Sequence, residues 1–106
     1  MFGFFKGTSN ISTKELAEKL KDKNKLIDVR SRDEYRMGHI PRAENIELNK
    51  IANYKGKTDQ PIYVICQSGA RSSQAVRILQ QKGYQAINVR GGMNQWNGPV
   101  KGGKWA

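Results

Sequence analysis

Short apolar runs alternate with amphipathic segments along the chain, and this alternation is the feature that most constrains the fold. Three of the runs contain the β-branched residues Ile and Val and are four or five residues long. They are "KLIDV" (25–29), "IYVIC" (62–66) and "AINV" (86–89). Each of them predicts a buried strand. Helical periodicity between them is clearest over 71–82, where Val76 and Leu79 share one face.

Capping patterns mark two further helices. Ser12 and Glu15 are spaced as a capping box and predict a helix over about 12–21. Ser31 and Glu34 predict a second helix, which Gly38 would end. Weaker signals predict an edge strand at Ile11, a brief strand within 44–48, a marginal helix near 47–53, a loop over 53–61 and a helical turn around Met93–Trp96.

Continuous apolar strands that alternate with helices are typical of a parallel sheet covered on both faces. The sequence therefore predicts an α/β fold with a mainly parallel central sheet of about five short strands and helices on both faces. The 106 residues suit a single domain over 1–106, with a core at about 10–100 and tails at 1–8 and 101–106.

Composition favours an ordinary globular protein. Hydrophobic residues make up 37% of the chain and charged residues 26%, which argues against disorder. No apolar run reaches the length of a membrane span, and the apolar start of "MFGFFKG" is too short for the core of a signal peptide. We therefore expect a cytoplasmic location and no membrane partner.

Charge is distributed unevenly along the chain. The net charge is +10, but residues 1–59 contain all nine acidic side chains, whereas 60–106 contain six basic residues and no acidic one. The basic residues are scattered without interleaved aromatics, so the pattern does not indicate a nucleic-acid partner. It is consistent either with a biased soluble surface or with a field that attracts a small anion or an acidic partner and favours a thiolate.

Cys66 is the only cysteine, which excludes an internal disulfide and a zinc site built on cysteines. It ends a predicted strand, at the edge of an α/β sheet where ligands bind. The small residues around Gly69 allow backbone N–H groups to turn inward, the positive end of the 71–82 helix points to the same place, and Arg71 adds a cation. Although most free cysteines are core residues, these features lower the pKa of a thiol, and we interpret Cys66 as a nucleophile.

Four segments resemble motifs of the rhodanese-like family of small single-domain sulfurtransferases. In chain order they are "LIDVRSRDEY" (26–35), "GHIPRAENI" (38–46), "VICQSGARS" (64–72) and "GGMNQW" (91–96). The resemblance extends over about residues 12–98 and so covers nearly the whole chain. One departure is Arg42, which stands at a turn position where the family usually has glycine.

The resemblance implies a sulfurtransferase. Cys66 would take a sulfane sulfur from a donor such as thiosulfate, carry it as a persulfide, and pass it to a thiophilic acceptor such as cyanide or a thiol. No cofactor or metal is implied. The resemblance assigns the nucleophile to Cys66, and Arg71 would bind the donor anion. The predicted substrate-binding loop is Gln67, Ser68, Gly69, Ala70, Arg71 and Ser72.

Two other functions stay open. A relay module would accept sulfur from a protein donor and hand it on, with little activity on free thiosulfate. A phosphatase or an arsenate reductase-like enzyme would need a general acid, which has to come from the first half of the chain. Four residues separate Cys66 from Arg71, so the loop is one residue shorter than in cysteine phosphatases and suits a single sulfur better than a phosphate group.

Four other side chains have limited interpretations from the sequence. Asp28 is expected to hold a loop in place, with an active-site role as the alternative, and His39 to bond loop backbone as a structural residue. Trp96 is expected to pack the closing turn against the core. The alternative is that its side chain lines the mouth of the pocket. Trp105 has no role that the sequence supports.

Overall fold

Five parallel strands form one sheet in the computed structural model, which describes residues 9–103. The strand order is β1-β5-β4-β2-β3, and every neighbouring pair is parallel. In chain order the elements are β1 (Asn10–Ile11), α1 (Thr13–Lys19), β2 (Lys25–Asp28), α2 (Arg32–Arg36), β3 (Glu44–Asn45), a 3₁₀ helix (Leu48–Asn53), β4 (Pro61–Ile65), α3 (Ala70–Gln81), β5 (Gln85–Val89) and α4 (Gly92–Gln95). The predicted α/β fold is confirmed.

Both predicted capping boxes are present at the helix starts. The Ser12 hydroxyl accepts the Glu15 N–H at 3.1 Å, and the Glu15 carboxylate accepts the Ser12 N–H at 2.8 Å. Ser31 and Glu34 exchange the same bonds at 3.2 and 3.0 Å. Each box satisfies N–H groups that lack partners within the helix, so both helices begin where the sequence predicted.

Side chains on β4 alternate between two apolar clusters, one on each face of the sheet. Ile62, Val64 and Cys66 pack toward α3 and the 3₁₀ helix. Tyr63 and Ile65 pack on the opposite face with residues of α1 and α2. The sheet is therefore covered on both faces, and the alternation directs the Cys66 side chain to the face that carries α3.

Arg42 takes a left-handed backbone conformation, with φ of 75°, and is the one non-glycine residue in the described range with positive φ. Such a conformation costs a residue with a side chain about 1–2 kcal/mol. The Arg42 guanidinium donates to the carbonyls of Leu20 at 3.0 Å and Asp22 at 3.2 Å. These bonds satisfy carbonyl groups at the end of α1 and offset that cost.

Residues 101–103, which the sequence assigned to a tail, belong to the packed domain. The backbones of His39 and Lys101 exchange two hydrogen bonds, at 2.9 and 2.8 Å, and the Gly103 N–H donates to the Arg36 carbonyl at 2.6 Å. No apolar pattern in the sequence indicates this pairing. Residues 1–8 and Trp105 lie outside the described residues. Within 9–103, no helix is long and apolar enough to cross a membrane.

Candidate active site

The site lies at the carboxyl ends of β2 and β4, which pair side by side. Cys66 follows β4 directly and is fully buried. The chain then turns sharply into α3, for which Gly69 is the N-cap, with φ of 107°. A residue with a side chain rarely adopts this conformation, so glycine permits the short connection. The strand end and the first turn of α3 thereby meet at the cysteine sulfur.

Two donors of the loop contact the Cys66 sulfur. The Gly69 N–H donates to Sγ at 3.0 Å, and the Ser72 hydroxyl lies 3.3 Å from Sγ. Burial raises the pKa of the Cys66 thiol, but hydrogen bonds from the Ser72 hydroxyl and from backbone N–H groups of Ser72, Gly69 and Ser68 outweigh burial. The net result is a pKa below that of an ordinary thiol, as expected for a nucleophilic cysteine.

Behind the sulfur, a polar network continues from Ser72 to the sheet edge. The Ser72 hydroxyl lies 2.5 Å from Asn88 Oδ1, and Asn88 Nδ2 donates to Asn10 Oδ1 at 2.9 Å. The Ser72 hydroxyl has a single hydrogen. At any moment it can donate to only one of three acceptors, namely Asn88 Oδ1, the Gly69 carbonyl at 3.2 Å and the Cys66 sulfur. Asn88 was not predicted as a site residue, although it is a polar residue within the apolar run "AINV".

Helix α4 braces the loop from the other side. The Met93 N–H donates to the Cys66 carbonyl at 2.9 Å, and the Asn94 N–H donates to the Gln67 carbonyl at 3.0 Å. Gly92 has φ of 56°, and a Cβ there would collide with the Cys66 carbonyl. Glycine at this position therefore permits the close approach of α4 to the Cys66 loop, which no local pattern in the sequence indicates.

Asp28 and Arg30 form a buried ion pair beside the loop. Arg30 Nε and Nη2 donate to the two carboxylate oxygens of Asp28 at 3.1 and 2.8 Å. The same guanidinium donates to the Gly38 carbonyl at 2.8 Å and to Gln67 Oε1 at 3.2 Å. Asp28 therefore holds a loop in place, as expected, and does so through Arg30, which ties the end of β2 to the active-site loop.

Arg71 forms a second ion pair, with Glu34 of α2. Its Nη1 and Nη2 donate to the two carboxylate oxygens of Glu34 at 2.6 and 2.9 Å. The hydrogen bonds from Arg71, with smaller contributions from Ser31, lower the pKa of Glu34 to about 2 although burial raises it. Residues 60–106 contain no acidic side chain, but α2 brings Glu34 from the first half of the chain to this loop, so the surroundings of Cys66 are not uniformly positive.

A family model described as "Rhodanese-like domain" matches residues 12–99. The chain belongs to the rhodanese-like family. "Putative sulfurtransferase YtwF" of Bacillus subtilis is 38% identical over 86% of this chain and 92% of that protein. "Thiosulfate sulfurtransferase GlpE" of Pseudoalteromonas translucida is 32% identical over 87% and 89%. The crystal structure of a rhodanese-like domain protein from Staphylococcus aureus has a TM-score of 0.84 and 32% identity, covering 90% of this chain and 98% of that one.

The six predicted loop residues of this rhodanese-like domain differ in exposure. Ser72 is buried, Ser68 and Ala70 are exposed, and the other three are intermediate. Their roles toward a substrate remain predictions. Trp96 packs against the apolar cluster of α1 and α2, and its Nε1 donates to the Pro99 carbonyl at 3.0 Å.

His39 has the structural position expected of it. Its Nδ1 lies 2.8 Å from the Tyr35 carbonyl, and its ring stacks on the Tyr35 ring with centroids 3.7 Å apart. Within residues 9–103, no cluster of three or more His, Cys, Asp or Glu side chains could hold a metal ion.

Proposed function

We propose that this rhodanese-like protein is a sulfurtransferase that carries sulfane sulfur as a persulfide on Cys66. The observation that supports this most is the setting of the sulfur. It is fully buried, yet the Gly69 N–H and the Ser72 hydroxyl contact it, and its pKa is lowered. A buried thiol without such donors would have a raised pKa and little nucleophilicity.

The reaction has two displacement steps. The Cys66 thiolate attacks the outer sulfur of a donor such as thiosulfate, a new S–S bond forms, the S–S bond of the donor breaks, and sulfite leaves with the electron pair. Cyanide or a thiolate then attacks the outer sulfur of the persulfide and restores the Cys66 thiolate. The 106 residues contain no second cysteine, so none of them can supply an acceptor thiol.

Mass spectrometry of the intact protein tests the persulfide directly. After incubation with thiosulfate we expect an adduct one sulfur atom heavier, which cyanide then removes. Cys66→Ala is the matched control, and it should show no adduct. Absence of the adduct in the unsubstituted protein, or its persistence in Cys66→Ala, would contradict the proposal.

A sulfur relay with a protein partner is the second candidate. It is favoured by one observation, that Glu34 neutralises Arg71, which was the cation predicted to bind a small donor anion. Steady-state turnover with thiosulfate and cyanide should be compared with transfer from a protein persulfide. A relay predicts that the protein donor is used much faster.

A free thiol without a disulfide partner suits a reducing compartment, which supports our proposal of a cytoplasmic location.

Phosphatase chemistry has weaker support. Glu34 is an acid from the first half of the chain that reaches the loop, but its pKa of about 2 leaves it ionised and unable to protonate a leaving alkoxide near neutral pH. The loop also has only four residues between Cys66 and Arg71. Hydrolysis of an aryl phosphate that disappears in Cys66→Ser would revive this function.

A further inference from the structure

Two arginines flank the active-site loop, and each is bound to a carboxylate. Arg30 is paired with Asp28 in the interior, and Arg71 is paired with Glu34 at the rim. Arg71 stands in the first turn of α3, and its pKa is raised mainly by the hydrogen bonds to Glu34 and to a smaller extent by the charge of the Cys66 thiolate. Arg71 is therefore the cation best placed to attract an anionic donor, and Glu34 is the group that neutralises it.

Neutralisation by Glu34 affects donors according to their charge. Coulomb attraction is proportional to the charge of each partner, so a nearby carboxylate opposes the approach of a dianion with twice the free energy that it opposes a monoanion. Thiosulfate is a dianion, whereas an ionised persulfide or thiosulfonate carries one negative charge. A paired Arg71 thus discriminates less strongly in favour of highly charged donors than an unpaired one.

We propose that Glu34 is a specificity-determining residue that acts through Arg71 and shifts donor preference from dianionic to monoanionic sulfane sulfur compounds. The inference rests on the proposed sulfurtransferase function and adds the charge class of the donor. Glu34 contacts neither the sulfur nor the loop backbone in the described structure, so it is a positioning residue and not a catalytic one.

The geometry of Glu34 suits this role. Its carboxylate is held from two sides, by the Ser31 N–H at 3.0 Å and by both terminal nitrogens of Arg71. Its pKa of about 2 keeps it ionised throughout the physiological range. Glu34→Gln retains an oxygen that can accept the Ser31 N–H, because glutamine also completes a capping box. The substitution therefore removes the charge while the start of α2 stays intact.

Two donors with the same chemistry and different charges test the proposal. Thiosulfate is a dianion and releases sulfite, whereas benzenethiosulfonate is a monoanion and releases benzenesulfinate; both leave one sulfur on the thiolate. We expect Glu34→Gln to accelerate persulfide formation about threefold with benzenethiosulfonate and about ninefold with thiosulfate, since the free-energy gain doubles with donor charge. The ratio of the thiosulfate rate to the benzenethiosulfonate rate should therefore rise about threefold. This rise should become smaller as added salt shortens the Debye length below about 10 Å.

Three matched variants separate charge from structure. Glu18→Gln makes the same change in net charge on exposed α1 and should leave the ratio unchanged. Arg71→Met leaves Glu34 unneutralised and should lower the thiosulfate rate more than the benzenethiosulfonate rate. The double variant Glu34→Gln/Arg71→Met restores the net charge of the pair, so its ratio should return close to that of the unsubstituted protein.

The outcomes distinguish this inference from the proposed function. Equal changes for both donors, or a ratio in the double variant that stays as low as in Arg71→Met, would show that the pair is only a structural link between α2 and α3. If neither donor adds sulfur to the unsubstituted protein, the proposed function itself fails. If Glu34→Gln does not fold, comparison of Arg71→Met with the unsubstituted protein still gives the sign of the charge effect.

Discussion

Two arginine–carboxylate pairs flank the same loop but differ in their exposure to solvent. The side chains of Asp28 and Arg30 are 0% and 5% exposed, whereas those of Glu34 and Arg71 are 35% and 37% exposed. Both pairs use two nitrogens and two oxygens. Similar chemistry is therefore placed once in the interior and once at the rim, and exposure decides what each pair can contribute.

Burial makes the inner pair difficult to break. When one partner of a buried pair is removed, the other charge remains without compensation, and this costs about 3–5 kcal/mol. An exposed pair is screened by water and contributes about 0.2–1 kcal/mol. The inner pair is therefore expected to control whether the loop is held at all, and the outer pair to control which anion approaches it.

The largest effect is expected from Asp28→Asn. Arg30 would stay buried without a counter-charge, and we expect the free energy of unfolding to fall by about 3–5 kcal/mol. Urea denaturation followed by circular dichroism measures this loss. Asp59→Asn makes the same chemical change on an exposed loop residue and should have little effect. A loss below about 1 kcal/mol in Asp28→Asn would mean that burial does not distinguish the two pairs.

A neutral contact at the same loop gives an intermediate test, because it affects the sulfur without changing any charge of the two pairs. Ser72→Ala removes the hydroxyl that lies 3.3 Å from the Cys66 sulfur and helps to lower its pKa. We expect the pKa of Cys66 to rise, so persulfide formation slows near neutral pH and recovers as the pH is raised. The pH dependence of alkylation by iodoacetamide reports this pKa.

Ser73→Ala is the matched control for that prediction, since it removes a hydroxyl from the next position of α3. The described structure shows no contact between Ser73 and the Cys66 sulfur. Equal alkylation profiles for Ser72→Ala and the unsubstituted protein would show that backbone N–H groups alone set the thiol pKa. The ratio of the thiosulfate rate to the benzenethiosulfonate rate should be the same in Ser72→Ala as in the unsubstituted protein, because this substitution changes no charge.

Local patterns predicted the fold well because each element carries its own signal. Each capping box and each apolar run lies within a few residues of sequence, and the position of Cys66 follows from the strand before it and the helix after it. The parallel arrangement followed from the alternation of strands and helices, which has few compact solutions.

Long-range contacts at the site could not be predicted in the same way. Glu34 and Arg71 are 37 positions apart and meet only because α2 and the first turn of α3 pack near the same end of the sheet. A capping glutamate and a loop arginine each had a sufficient local explanation, so nothing in the sequence indicated that they are paired. Asn88 had no predicted role, and the close approach that Gly92 permits was also not predicted, although each acts on residues of the Cys66 loop.

The smallest effect is expected from acid titration of the outer pair. The pKa of Glu34 is lowered to about 2 in the folded protein, below that of an ordinary glutamate, so its ionised form is stabilised by folding. Its contribution to stability is therefore present above the pKa of the unfolded chain and is lost as the pH falls from about 4.5 toward 2. Because the pair is more than a third exposed at Arg71, we expect a loss of about 1 kcal/mol or less.

The difference between the unsubstituted protein and Glu34→Gln isolates this contribution. The free energies of unfolding of the two proteins, measured by urea denaturation from pH 7 to pH 2.5, should differ by a constant amount above about pH 5 and converge below it. Glu18→Gln, which removes an exposed carboxylate of α1, is the matched control and should change the free energy of unfolding little. A difference of several kcal/mol at neutral pH would place the outer pair in the same class as Asp28 and Arg30, and the division between a structural pair and a donor-selecting pair would then be wrong.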